Sequence, residues 1–394
     1  MLGANRLQLA EDVVQETLIT AMEHWATNYI PKSPTAWLVQ VAKRKALNQL
    51  KHESYEVNTS MPISLDAMEE DATEVYLEGE IEDSQLRMIF TCCHPALSVE
   101  SQIALTLKTL CGFGVGQVAN ALLSTESTVN KRLYRAKKSI RESEIPFQIP
   151  VGKGLGDRIN AVSTTLYLLF NEGYNSSSGS LAIQRELCLE AVRLTKLMLK
   201  HFKEHKGLSA LLALMCFHTA RFEARIDNQG GIVLFEDQDR SKWNAELIAH
   251  GVLLLKDAAH DDKLTAYHIE ACIAAEHCSA SSFETTDWGQ IYYYYQLLWQ
   301  VKPNPIVKLN LAIIQSKLGG LEVSLNMLAA LERDKTLANY HLLAATQGVF
   351  LMKLGRIEEA MTYLRKALGL NPPPHEKALI ERKIEECKIP PAIK

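Results

Sequence analysis

Apolar residues recur at helical spacing along most of this chain, and residues 112–142 show the pattern most clearly. A short helix is predicted near 115–122, and a turn ending at Thr125, a suitable N-cap, leads into a second helix from Glu126. The second helix has an inward apolar stripe that consists of Val129, Leu133, Ala136 and Ile140. Between Thr125 and Glu142 there are six Lys or Arg and two Glu. A short helix, a tight turn and a basic second helix are typical of a helix-turn-helix DNA reader, although a basic helix face is more often simply solvated.

Two more amphipathic helices are predicted at 8–25 and from Ser33-Pro34 to about residue 53. The first has an inward apolar set of Val13, Val14, Leu18, Ala21 and Met22. The buried side of the second consists of Trp37, Leu38, Val41, Ala42 and Leu50, and its polar side of Lys43, Arg44, Lys45, Asn48 and Lys51. Between His24 and His52 there are five Lys or Arg and no acid, which suits contact with phosphates. Trp37 can stack on an unpaired base, but a lone Trp is more often a core residue.

The chain has 42 basic and 46 acidic residues and therefore a net charge of −4, but charge is unevenly distributed and two segments are basic. From Glu53 to Leu86 there are eleven acids and no Lys or Arg, which predicts a solvated linker, assigned to residues 55–83. A tether of this charge would also avoid DNA. From Arg87 to Glu142 the balance is eight Lys or Arg against three acids, so residues 84–145 form a second basic unit after residues 1–54.

The remaining residues, 146–394, follow a Pro- and Gly-rich joint at 145–156 and have helical patterns almost throughout. The strings LNLAIIQSKLGGLEVSLNMLAAL and ATQGVFLMKLGRIEEAMTYLRKAL superimpose at an offset of 36 residues. This superposition aligns Leu318-Gly319 with Leu354-Gly355 and Leu328 with Leu364. This pattern resembles tetratricopeptide repeats near 305–375, and such repeats commonly hold a protein or peptide partner.

Several function classes are disfavoured. No apolar run approaches ~20 residues and no secretory signal is visible, so a cytoplasmic protein without a membrane partner is predicted. Eight scattered cysteines without a CxxC pair favour free thiols, and Cys92-Cys93-His94 lacks a second ligand pair for a metal. The acids Glu236, Asp237 and Asp239, near Arg221, Arg225 and Arg240, favour a salt-bridged joint over a catalytic site. The sequence thus predicts no catalytic residue, no metal and no cofactor.

The order of residue types in 112–142 resembles region 4 of the sigma-70 family of bacterial transcription initiation factors, particularly the extracytoplasmic-function group. The strings AEDVVQETLITAMEHW and SPTAWLVQVAKRKALNQLKHE are similar to regions 2.2 and 2.3–2.4 of that family. FTCCHPALS, LFNEGYNSSSG and EDQDRSKW resemble segments of a subgroup with a long helical C-terminal extension. Gly116 departs from the family pattern, because a better helix former normally fills that position. Family members also carry a helix upstream of Leu2, so region 2 is expected to be truncated.

The resemblance implies an all-α sigma factor: a truncated region 2 at 1–54, a linker, a region 4 helix-turn-helix, and an extension that regulates the factor. The partners that it implies are core RNA polymerase and promoter DNA. The implied polymerase-binding residues are Asp12, Gln15 and Glu16. The residues implied to face the −10 DNA are Trp37, Lys43, Arg44, Asn48 and Lys51. The expected DNA contacts of region 4 are Glu126, Ser127, Asn130, Lys131, Arg132, Arg135 and Lys138.

Three other interpretations stay open from the residues. One is a helix-turn-helix regulator with a repeat scaffold that acts without the polymerase. Another is a repeat scaffold whose basic helices are only surface. The last is an enzyme in the extension.

Overall fold

A computed structural model of the chain describes residues 6–27, 30–54, 74–122, 124–174, 184–227, 231–260, 263–334, 337 and 340–388. Within these ranges the regular secondary structure is α-helical, apart from short 3₁₀ helices and one isolated antiparallel bridge between Ile226 and Ile232. The predicted all-α fold class is therefore confirmed. The chain divides into two compact units, residues 1–119 with 125–165 and residues 120–124 with 166–394. Among the helices in the described ranges, none has the length and apolar character needed to cross a membrane.

The first unit is a set of packed helices, of which α5 and α7 continue beyond its bounds. In chain order they are α1 (Leu7–Thr27), α2 (Pro34–Ser54), α3 (Glu74–Cys92), α4 (Val99–Thr109), α5 (Val115–Ala121), α6 (Glu126–Glu142) and α7 (Leu155–Tyr174). Helices α1 and α2 pack around Ala21, Trp37 and Val41, with Trp25 and Leu38 against them. Helix α4 packs against α3 and α6, and the side chains of Leu86, Phe90, Leu105, Val129 and Ile140 in these three helices are fully buried.

Helix α3 begins earlier than its composition suggested. The acidic segment assigned to a linker ends at residue 83 in the sequence prediction, but the structure is helical from Glu74 onward. Glutamate and leucine are good helix formers, so a run rich in acids continues a helix wherever its C-terminal half is anchored in a core. Residues 74–83 of the segment assigned to the linker are therefore helical, and residues 55–73 lie outside the described ranges.

The loop after α3 is held by one buried amide. Gln102 donates hydrogen bonds from Nε2 to the carbonyls of His94 and Leu97, both at 3.0 Å, and Thr165 donates to its Oε1 at 2.9 Å. Cys93 is buried next to Thr165 and Thr106, and burial raises the pKa of its thiol to about 11. A protonated, inaccessible thiol packs as a small apolar side chain. The FTCCHPALS string thus has a structural explanation in this loop.

The second unit consists of helical hairpins stacked in chain order. Its further helices are α8 (Arg185–His201), α9 (Lys206–Thr219), α10 (Phe222–Arg225), α11 (Ala245–Ala258), α12 (Ala266–Ser279), α13 (Trp288–Val301), α14 (Pro305–Lys317), α15 (Leu321–Leu331), α16 (His341–Lys353), α17 (Ile357–Gly369) and α18 (Pro374–Lys388). Helix α9 is apolar on every side and buried over most of its length, since α8, α11 and α12 surround it. A helix that is apolar all round needs such a central position.

The repeat predicted at an offset of 36 residues is present as two helical hairpins, α14–α15 and α16–α17. Gly319 and Gly355 follow the first helix of each hairpin and adopt φ values of +90° and +75°. Glycine reaches this left-handed conformation without the steric cost that other residues incur. Leu328 and Leu364 are both fully buried in the equivalent second helices.

Candidate nucleic-acid interface

Helix α6 presents two sharply different sides. Thr125 caps its N-terminus, because the Thr125 side chain accepts a hydrogen bond from the Thr128 amide at 3.2 Å. Val129, Leu133, Ala136 and Ile140 are buried, as the apolar spacing predicted. Since the buried stripe fixes the rotation of the helix, the side chains opposite to it must face outward.

The outward side of α6 forms one continuous stripe along the helix. Seven side chains line the same shallow groove: Glu126, Ser127, Asn130, Lys131, Tyr134, Arg135 and Lys138. Each of these side chains lies three or four residues from another member of the set, so together they cover one side of the helix. This stripe combines three cations with hydroxyl and amide groups, which are the groups that contact phosphates and base edges in a major groove. We call these seven residues the α6 stripe.

Six of the seven α6 stripe residues are among those expected to contact DNA, and two differences remain. Arg132 does not line the groove but is half-buried on the side towards α4. There it makes a small contribution to lowering the pKa of Glu100, after hydrogen bonds from the Glu100 amide and from Ser98. Tyr134 was not among the expected residues, although its side chain is 66% exposed in the middle of the stripe. Its position seven residues after Ser127 was the signal that would have found it.

The glycine that departs from the family pattern lies directly beside the start of α6. A Cβ atom on Gly116 would come within 2.9 Å of Oε1 of Glu126, the first residue of the α6 stripe. The absence of a side chain at Gly116 therefore leaves room for the Glu126 carboxylate in its present position. A larger residue would have to displace that carboxylate, which is the flexible end of a long side chain.

Trp37, expected to face DNA, lies instead in the core between α1 and α2. Its side chain is only 5% exposed, and its ring lies 5.4 Å from Trp25 and 5.5 Å from His24, measured between centroids. Burial among other aromatic rings leaves no face open for a base. The prediction that Trp37 stacks on DNA is therefore wrong for this structure, and the alternative core interpretation holds.

The other α2 residues expected to face DNA have different environments. Arg44 is exposed, and Asn48 is half-buried. Lys43 is exposed but lines a groove together with Ser84, Met88 and Thr109 of the first unit. The side chain of Lys51 lies outside the described part of the chain. Lys45, which shares the polar side, donates to the Glu16 carbonyl at 3.0 Å and to Thr20 Oγ1 at 2.8 Å, and so ties α2 to α1.

Helix α1 buries a narrower face than the apolar pattern predicted. Val13, Thr17 and Ala21 are buried against α2, whereas Val14, Leu18 and Met22 are 50%, 49% and 74% exposed. The prediction that these last three point inward is wrong: among the described helices α2 is the main packing neighbour of α1, and one closely packed neighbour buries only one narrow stripe. The exposed apolar residues share the outer surface of α1 with Asp12, Gln15 and Glu16, which are also exposed.

A polar contact joins α1 to α6 within the first unit. Lys137 Nζ lies 2.7 Å from a carboxylate oxygen of Glu11 and 3.2 Å from Oε1 of Gln8. Both members of the ion pair are more than two-thirds buried. Lys137 is one of the six basic residues of α6, so α1 neutralises part of that helix's positive charge.

Family models match three successive parts of the chain. The model described as Sigma-70 region 2 matches residues 3–55, and that described as Sigma-70, region 4 matches residues 87–140. A model for a family of unknown function, DUF6596, matches residues 158–259. An uncharacterized protein of Rhizobium meliloti is 34% identical over 391 residues, which are 98% of this chain and 92% of that protein. Helices α1 and α2 fall within the first match, and α4 and α5 within the second.

Proposed function

Because the chain belongs to the sigma-70 family, as a sigma factor of the extracytoplasmic-function type with a C-terminal extension, we propose that it binds core RNA polymerase and directs it to promoters. Its general role is in transcription initiation. The proposed mechanism is binding and not catalysis: one unit engages the polymerase and two positively charged helices engage the promoter at its −10 and −35 elements.

The observation that carries this proposal is the α6 stripe. Its exposed cations and hydrogen-bonding groups lie on one face of a helix that is capped, preceded by a short helix and a turn, and anchored by four buried side chains. We assign −35 recognition to this stripe, with Lys131 and Arg135 at its centre. We assign Arg132 to a contact with a DNA phosphate at the side of α6.

We assign the −10 contact to the polar side of α2, with Arg44, Lys43, Asn48 and Lys51 as its DNA-facing residues. Trp37 has a structural role in holding α1 against α2. The exposed surface of α1 is our proposed polymerase contact. Apolar side chains as exposed as Leu18 and Met22, beside Asp12, Gln15 and Glu16, are typical of a surface that another protein covers.

The extension, residues 146–394, is proposed to regulate the factor. The paired hairpins α14–α15 and α16–α17 support its interpretation as tetratricopeptide-like repeats, which would hold a protein or peptide partner. We propose a cytoplasmic location, since that is where polymerase and promoters are found.

The test is a double substitution, Lys131→Ala with Arg135→Ala, in the full-length chain. We expect weaker binding to promoter DNA, by about 1–3 kcal/mol for each lost base contact, and a salt dependence that is flatter by about one unit of slope for each lost phosphate contact. Transcription in vitro with core polymerase should fall in parallel, because the holoenzyme would lose its −35 contact.

A matched control removes two positive charges elsewhere. Lys377 and Arg382 are 58% and 57% exposed on α18, where they pair with Glu381 and Glu386, so Lys377→Ala with Arg382→Ala changes net charge equally. The control variant should transcribe like the unchanged protein. Equal transcription and equal salt dependence for both double variants would refute the assignment of α6, and failure of the unchanged protein to bind core polymerase would refute the function.

A further inference from the structure

The second unit contains a partly open cavity of about 450 Å³, lined by both apolar and polar side chains, that no part of the proposed function uses. Its walls come from α7, α9, α12 and α13, together with the start of α14. Pockets for small organic ligands fall in the range of about 300–1,000 Å³. The cavity is therefore large enough for a metabolite and too small for a peptide helix.

The cavity has two polar ends. Tyr167 and Tyr174 are seven residues apart on α7, and Glu270 and His277 are seven residues apart on α12, so each pair shares a face and is separated by about 10 Å along its helix. At one end the Tyr167 hydroxyl donates to the Glu270 carboxylate, and Lys302 Nζ lies 3.9 Å from that carboxylate. At the other end the ring of Tyr174 lies 4.5 Å from the ring of His218.

Arg221 at the second end is a buried charge for which the described residues provide no counter-ion. Its side chain belongs to a residue only 9% exposed, and Nε and Nη2 both donate to Oε1 of Gln238, at 3.2 and 3.1 Å. Its guanidinium also lies 4.2 Å from the centre of the Phe235 ring. Among the described residues, no carboxylate comes within ion-pairing distance of Arg221. An arginine keeps its charge when buried, so an uncompensated one favours an anionic partner.

The acids near Arg221 in sequence are turned to other partners. Glu236 pairs with Lys317 at 3.1 Å, and Asp239 accepts a hydrogen bond from the Ser241 amide at 3.0 Å. Within the described ranges these two acids do not pair with Arg221, and Glu236 instead forms an ion pair with α14 through Lys317. In the part of the cavity lining that the structure describes, Glu270 is the single carboxylate, and Lys302 already offsets its charge.

Two histidines complete the second end. Nδ1 of His218 and Nδ1 of His277 are buried and have no hydrogen-bond partner within the described ranges, although both rings line the cavity. Burial, with the charge of Arg221, lowers the pKa of both imidazoles, that of His277 to about 3. Neutral imidazoles can each donate one hydrogen bond, and a ligand can supply the missing partners.

We propose that this cavity binds a small organic anion. Its carboxylate or phosphate group would contact Arg221, His218 and His277, and a hydroxyl or amino group at its other end would contact Tyr167 and Glu270. The inference concerns the second unit alone and does not depend on promoter recognition. A chain that fails to direct transcription could still bind the anion.

The experiment measures binding of defined probes to the full-length protein by calorimetry and thermal unfolding. The probes are inorganic phosphate, acetate, butyrate and 4-aminobutyrate, with sodium chloride at equal ionic strength as the reference. We expect at least one anion to bind, and 4-aminobutyrate to bind more tightly than butyrate because only its amino group can reach Glu270. Arg221→Gln should weaken anion binding by about tenfold or more, since it removes charge-assisted hydrogen bonds.

Two further variants keep the test decisive. Arg193→Gln is the matched control, because Arg193 is a partly exposed arginine of α8, outside the cavity, that pairs with Glu190 at 2.9 Å. This variant should bind like the unchanged protein. Glu270→Gln should retain acetate binding and lose the preference for 4-aminobutyrate, which tests the other end if Arg221→Gln does not fold. Absence of binding by all four probes, or equal binding in the Arg221 and Arg193 variants, would overturn the proposal.

Discussion

The N-cap of α6 allows a quantitative test of how the first turn of that helix supports DNA binding. Thr125 has extended backbone angles, φ −90° and ψ 152°, and its Oγ1 accepts from the Thr128 amide at 3.2 Å. Thr125→Ala removes this acceptor and leaves the amide to water. Loss of an N-cap side chain costs about 1 kcal/mol, within a range of about 0.5–2. The first turn also carries Glu126 and Ser127 of the α6 stripe.

A loss of about 1 kcal/mol corresponds to a change of roughly fivefold in the equilibrium for opening the turn. Hydrogen exchange of the amides at 128–130 should therefore accelerate by about that factor in Thr125→Ala. Binding to promoter DNA should weaken by no more than the same factor, because part of the binding free energy must now be used to order the first turn of α6.

Ser98→Ala is a matched control for this prediction. Ser98 caps α4 in the same way, accepting from the Ser101 amide at 3.3 Å, and α4 contributes no residue to the α6 stripe. The Ser98 variant should accelerate exchange at the start of α4 and leave DNA affinity unchanged. If both variants lose affinity equally, or if exchange at 128–130 does not change, the link from cap to DNA contact is refuted.

Two other predictions concern the second unit. Gly348→Ala should destabilise the chain by about 1–3 kcal/mol in urea unfolding, because the new Cβ would lie 2.7 Å from Cγ of Leu364 and 3.2 Å from the Ala360 carbonyl. Gly369→Ala, whose Cβ would meet nothing within 4 Å, is its control, and equal losses would contradict the packing argument. The pKa of His277 is about 3 against an ordinary value of 6.5, so between these values the unfolded chain binds a proton that the folded chain does not. The free energy of unfolding should therefore fall as pH decreases from 6.5 towards 3. In urea unfolding at a series of pH values, His277→Gln should make this dependence on pH less steep. An unchanged pH dependence would contradict the prediction.

Helical periodicity in the sequence predicted the buried side of α6 correctly, because the packing neighbours of α6 all cover the same side of this helix. Val129, Leu133, Ala136 and Ile140 recur at helical spacing, Thr125 provides a cap, and all five behave as expected. The same reasoning was less successful for α1, where Val14 and Met22 continue the apolar pattern but nothing in the described residues covers them. Periodicity reports which residues can be buried, and the number of packing neighbours decides which are.

The cavity around Arg221 could not be predicted because its residues are scattered between positions 167 and 310. The sequence drew attention to Arg221 through nearby acids, yet Glu236 turned out to pair with Lys317. Only tertiary packing brings Tyr167, Glu270 and His277 to one space. Sequence neighbours of a charged residue are thus a poor guide to its partners when the element between them is a turn.

Under the proposed function, the contact between Glu11 and Lys137 would couple polymerase binding to DNA binding through charge. While α1 rests on α6, one positive charge of α6 is already matched inside the protein. A polymerase that captured α1 and drew Glu11 away would return that charge to α6 at the moment when promoter DNA is required. Attraction to DNA would then rise only after the polymerase has bound, and the isolated factor would be less inclined to occupy DNA alone.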